Sequence, residues 1–148
     1  MVCSSYEIEA YVATITYYRY MKVLGIDFGT KNIGIAVSDI DGKVAFPKTV
    51  YKRDDTVILY VKKLTEEEQI SKVVIGMPKN VPETWQQDVI HFRDALIAEG
   101  IDVIMQDESF SSHEANHSAH QFGIKNITDA SAAAIILQRY LDKQHGND

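Results

Sequence analysis

Residues 23–28, VLGIDF, and 33–38, IGIAVS, are two short apolar runs rich in Val and Ile, with only GTKN between them. Neither run is long enough for a helix, and β-branched residues favour extended backbone, so the pair reads as two strands joined by a tight turn. An acid in the first of them, Asp27, interrupts an otherwise apolar strand. A carboxylate there is expensive to bury without a partner, so it points to a role beyond the turn.

A third strand follows. SDIDGK supplies a turn signal at Asp41-Gly42, and VAFPKTV resumes the apolar pattern with Pro47 placed for an edge or a bulge. The period then changes: Val57, Val61 and Leu64 recur at helical spacing on a segment that opens at Asp54-Asp55. KVVIGMP, residues 72–78, is a continuous apolar run suited to a buried strand. Trp85, Val89, Phe92 and Leu96 line a second helix that ends at Gly100, and IDVIMQDES gives a last strand from 101 to about 107. Residues 111–122 open with a capping pattern, Ser111 to Glu114, and read as a helix. The final segment, DASAAAIILQRYLDK, is apolar around most of its circumference and should pack deeply. Strands alternating with helices after a three-strand meander predict an α/β fold, a mixed sheet with helices on both faces.

Residues 1–20 stand apart as an N-terminal extension. YEIEAYVATITYYRY is tyrosine-rich and reads as an added edge strand or a plain upstream segment, before a domain over 21–143 and a tail over 144–148. Its apolar character would also allow pairing with another chain, and the oligomeric state is open. No window reaches the roughly 18 apolar residues of a membrane span and no secretion signal is visible at the start, so a cytoplasmic protein without membrane contact is expected. The single cysteine, Cys3, has no partner for an intrachain disulfide. The formal net charge of −6 argues mildly against non-specific grip on nucleic acid, since that grip comes from Lys and Arg displacing counterions.

In a sheet with parallel strands, sites form at the strands' carboxyl ends. Asp27 ends the first strand, Asp107 and Glu108 close the last, and Asp129 begins the final helix. Converging carboxylates there suit Mg²⁺ or Mn²⁺, hard cations that prefer oxygen donors. Each acid has a plainer reading as well. A strand end is solvated, which suffices for Asp39, Asp107 and Glu108, and Asp129 after Thr128 would favourably meet a helix dipole. Lys31, in the turn beside Asp27, can be a phosphate contact or a solvated turn lysine. HEANH, residues 113–117, is a literal His-Glu-x-x-His, and His120 extends the face of His113 and His117. A zinc site is physically allowed there, but Glu114 already serves the capping pattern, and an exposed histidine face is the simpler reading.

Four stretches in order, MKVLGIDFGTKNIGIAVSD, VVIGMP, DESFSSHEA and TDASAAAIILQRYL, resemble the YqgF family of Holliday-junction-resolvase-like nucleases, also regarded as pre-16S ribosomal RNA nucleases. The resemblance covers residues 21 to about 143. It implies a ribonuclease H-like, five-stranded mixed sheet and a metal-dependent nuclease using Mg²⁺ or Mn²⁺, with catalytic, metal-holding acids at Asp27, Glu108 and Asp129. The implied partner is pre-rRNA or a ribosomal particle, or else branched DNA. Two departures thin the basic surface, Ser109 and Asn32 standing where family members usually or often carry Arg; in a third, KNVPETW stands where a Gly-containing loop is usual. The alternatives are a non-catalytic RNA-binding or ribosome-assembly module, a Holliday junction resolvase, or an actin-like nucleotide-binding regulator, whose phosphate loop looks like GIDFGTKN. That last class closes two such domains around its nucleotide, and 148 residues hold one.

Overall fold

The computed structural model describes residues 4–19, 22–108 and 129–146. Helix α1 (Ser5–Arg19) is followed by strands β1 (Lys22–Phe28), β2 (Asn32–Ser38) and β3 (Ala45–Lys52), helix α2 (Val57–Glu67), β4 (Ile70–Pro78), α3 (Glu83–Ala98), β5 (Val103–Glu108) and a last helix, α4 (Asp129–Gln144). The strands form one five-stranded sheet in the order β3-β2-β1-β4-β5. β1, β2 and β3 are an antiparallel meander, while β4 and β5 add in parallel to β1. The carboxyl ends of β1, β3, β4 and β5 therefore share one edge of the sheet.

Alternation along β1 divides the core in two. Leu24, Ile26 and Phe28 face Val57, Val61 and Leu64 of α2 and Val89, Phe92 and Leu96 of α3. On the other side Val23 packs with Ala133, Ile136, Leu137 and Tyr140 of α4. Fully burying side chains such as Ile136 and Leu137 contributes roughly 1.5–3 kcal/mol each, and α4 is held by that term. Pro47 lies on edge strand β3 beside an irregularity in the β2–β3 register, where its missing N–H costs no ladder bond. α3 ends as expected at Gly100, whose φ of +84° lets its N–H reach Ile97 O (2.9 Å) while Ile101 N–H reaches Leu96 O (3.2 Å).

Residues Ser5–Arg19 are helical, which corrects the reading of an extra edge strand. The local cause is a reciprocal cap: Glu7 N–H donates to Ser4 Oγ (3.2 Å) and Ser4 N–H donates to Glu7 Oε2 (3.1 Å). β-favouring tyrosines do not overcome that start signal without a strand neighbour. α2 begins at Val57, later than Asp54-Asp55, because the Asp54 carboxylate accepts the Thr56 N–H (2.9 Å) and forms a turn first. The helix expected over 111–122 lies outside the described residues. Among the described residues no helix is long and apolar enough to cross a membrane.

Glu68, at the end of α2, joins two strands: Lys22 Nζ lies 2.7 Å from its carboxylate and Lys48 Nζ 3.3 Å. Hydrogen bonds from Lys22 first and Lys48 second hold the Glu68 carboxyl below its ordinary value of 4.5. A depressed folded-state value means the bridge contributes fully above pH 4.5 and is lost as pH falls through the folded value. Melting wild type and Glu68→Gln between about pH 6 and about pH 3 should show a larger loss of Tm in the wild type. Parallel curves would remove Glu68 from the acid response.

Candidate active site

The row on β1 that faces α4 runs Val23, Gly25, Asp27. A Cβ on Gly25 would stand 2.6 Å from Leu137 Cβ and 3.0 Å from Ala133 O, so α4 lies directly on this strand. Asp27 is the next residue of the row toward the helix's amino end. Its cross-strand partner on β2 is Gly34. A Cβ on Gly34 would overlap the main-chain carbonyl oxygen of Asp129 and come within 3.0 Å of Ala130 N. The first residue of α4 is thus seated on the residue paired with Asp27. Both Asp27 and Asp129 are half-buried, and a helix amino terminus with its positive dipole end stabilises negative charge at this place.

The third acid approaches from β5. Glu108 is the last residue of that strand and pairs in register with Pro78, two residues beyond Gly76↔Gln106. Its side chain is not among the described atoms. Gln106 faces α4, donating from Nε2 to Ile136 O at 2.9 Å, and it is 7% exposed. Position 108 belongs to the same alternate row of the strand.

Two other acids are placed by simpler forces. Asp107 is exposed, with Lys79 Nζ at 3.8 Å. Asp39 accepts the N–H groups of Lys43 (2.8 Å) and Val44 (3.1 Å) and closes the turn before β3. Lys31 is exposed in the β1–β2 turn, where Gly29 N–H donates to Asn32 O at 3.0 Å. Ser109, the Ser111–Glu114 capping pattern, Thr128, and His113, His117 and His120 lie outside the described residues. Among the described residues no group of three His, Cys, Asp or Glu side chains is placed to hold a metal.

Sequence reasoning passed over three residues at this edge. Gly34 carried a signal, since glycine within an apolar strand marks close approach of another backbone. Gln106 and Arg53 carried none. Arg53 follows Lys52 in the chain, but Lys52 is exposed and Arg53 is half-buried. The Arg53 guanidinium turns inward, 4.4 Å from the centroid of the Phe28 ring, with Nη2 donating to Asp88 Oδ2 at 2.9 Å. The fold also gathers lysines that are scattered in sequence: Lys31, Lys52 and Lys79 are all exposed at the carboxyl edge of the sheet.

A mixed sheet in this strand order, with one helix seated over the acid-bearing edge, is a ribonuclease H-like fold. Its fold is similar to that of T. thermophilus RuvC in complex with a Holliday junction substrate (TM-score 0.57, 16% identity, 86% of this chain and 97% of that one). It is also similar to the fowlpox virus Holliday junction resolvase (TM-score 0.53, 16% identity, 83% of this chain and 99% of that one). The chain belongs to the RuvX, or YqgF, family: residues 21–143 match the family model described as "RuvX: Holliday junction resolvase". A curated relative from Clostridioides difficile (strain 630), 39% identical over 82% of this chain and 94% of its own length, bears the name "Putative pre-16S rRNA nuclease". One from Acetivibrio thermocellus, 36% identical over 84% of this chain and 97% of its own length, bears the same name. Helix α1 precedes the matched span.

Proposed function

We propose that this chain is a divalent-metal-dependent endonuclease that processes pre-16S ribosomal RNA, with Asp27, Glu108 and Asp129 as its catalytic acids. The observation that carries the reading is the seating of Asp129 on Gly34, the cross-strand partner of Asp27. It supports a meeting of acids from early and late in the chain at the carboxyl edge of the sheet, the edge at which β5 ends in Glu108. The shared name of the curated relatives supports RNA as the substrate.

Nucleases of this fold are typically metal-dependent. The donor set fits a hard cation: carboxylate oxygens only, at a half-buried helix amino end, with no thiolate or imidazole among the proposed ligands. Asp27, Glu108 and Asp129 would hold Mg²⁺ or Mn²⁺. Such a cation supplies activation of a water nucleophile and offsets charge on the leaving oxygen. The chain's own side chains do the rest. Lys31 contacts a non-bridging phosphate oxygen and fixes the phosphodiester against the acids. Lys52 pairs in register with Asn32, so a cation stands one strand away from the position where an arginine was missed. Together with Lys79, these lysines give the carboxyl edge a local positive rim despite the net charge of −6.

The test is cleavage of end-labelled pre-16S RNA beside a four-way DNA junction of equal concentration, with Mn²⁺ and with chelator. The expected result is Mn²⁺-dependent cuts in the RNA. Resolution of the junction with intact RNA would move the substrate to branched DNA. RNA binding that persists in chelator, with no cleavage even in Mn²⁺, would make the chain an assembly module.

A further inference from the structure

We propose that Arg53 is a positioning residue for the β1–β2 turn and through it for Lys31, an assignment that rests on the nuclease reading above. Arg53 gathers the main-chain carbonyls of the whole turn. Its backbone N–H donates to Lys31 O at 2.9 Å, and its Nη1 lies 3.5 Å from Gly29 O and 3.4 Å from Thr30 O. The side-chain contacts are long, and each is weak alone. Two carbonyl dipoles directed at one permanent cation, with the third carbonyl held by the Arg53 main-chain N–H, nevertheless select one conformation of a turn that is otherwise exposed.

The cation itself is fixed from behind. Its Cζ lies 4.4 Å from the Phe28 centroid and 5.9 Å from that of Trp85, and Asp88 of α3 accepts a hydrogen bond from Nη2 at 2.9 Å. Phe28 is anchored in turn against Phe92 (centroids 5.0 Å apart) and Trp85 (6.3 Å). Arg53 therefore joins the turn to α3 on the face of β1 opposite α4, one residue along from Asp27. A phosphate contact by Arg53 itself fits less well. Its donors already serve Asp88 and the turn, and the open cleft it lines also carries Asp54 and Asp55, which repel an anion.

The experiment compares wild type, Arg53→Ala, Arg53→Lys and Asp88→Asn as full-length chains. Amide hydrogen exchange is read at Gly29 and at residue 53, whose N–H groups close the turn, and kcat and KM are measured separately on pre-16S RNA with Mn²⁺. Arg53→Ala should speed exchange at those two amides by about tenfold, the scale of one charge-assisted hydrogen bond, without speeding it in β4 or β5. Its kcat should fall about tenfold or more with little change in KM, because the turn then holds Lys31 in several places. Arg53→Lys should recover part of both effects, keeping the charge on Phe28 but not the planar fork. Asp88→Asn should show a smaller version of each. Wild-type exchange at the turn in Arg53→Ala, or faster exchange spread evenly over the sheet, would overturn the assignment. If wild type cuts no RNA, the nuclease reading fails, and the exchange comparison still decides whether Arg53 holds the turn.

Discussion

Asp27→Asn is expected to lower Mn²⁺-supported RNA cleavage by about a hundredfold or more while leaving the chain folded. The substitution keeps the side chain's shape and removes one anionic oxygen donor from the edge where α4 meets β1. Asp27 is half-buried in an otherwise apolar strand, and replacing its charge with a neutral amide lowers the desolvation cost there. Mn²⁺ gives a second readout. Millimolar Mn²⁺ should raise the Tm of wild type through preferential binding to the folded state, and that rise should shrink in Asp27→Asn. Asp107→Asn is the matched control: this acid is exposed and only loosely paired with Lys79 at 3.8 Å, so cleavage should stay within about threefold. Equal cleavage by wild type and Asp27→Asn sinks the assignment of the acids.

How far the sequence discloses such a site depends on the distance over which its parts interact. The strands of the meander, the α2 face of Val57, Val61 and Leu64, and the α3 face of Val89, Phe92 and Leu96 are read correctly because their periods are local and each is set by burial. Asp27 stands out for the same reason, as a polar interruption of a buried row. Of the two readings of residues 1–20, an edge strand or a plain upstream segment, neither foresaw helix α1, because its cap, Ser4 with Glu7, outweighs the β-favouring tyrosines. The approach of Asp129 to Gly34 spans most of the chain and leaves no periodic trace; topology offered Asp129 only as one of several acids, and the resemblance singled it out. Arg53 is invisible for a related reason. Nothing local distinguishes it from Lys52; its direction is set by Phe28 and Asp88, which reach it from β1 and α3.

Gly34→Ala should then be among the most damaging single-methyl changes in the molecule, affecting both stability and activity. The backbone of Gly34 is outside the left-handed region, so the constraint is space and not conformation. The added Cβ meets main-chain atoms of Asp129 and Ala130, the latter's nitrogen at 3.0 Å, and main chain cannot move aside as a flexible side-chain tip would. Relief requires either β2 to sink or the amino end of α4 to lift. Overpacking of this kind costs about 1–3 kcal/mol, and lifting α4 carries Asp129 away from Asp27. A displacement of about 1 Å at reacting groups can cost about a hundredfold in rate. Gly25→Ala separates the two effects. Its Cβ would meet Leu137 Cβ at 2.6 Å and Ala133 O at 3.0 Å, further along the same helix, so it should lower Tm comparably. With both variants assayed well below their melting temperatures and rates normalised to folded protein, Gly34→Ala should lose about tenfold more activity than Gly25→Ala. If the two variants retain equal activity per folded molecule, the seat of Asp129 on Gly34 matters for packing alone, and the acids need not be held together by it.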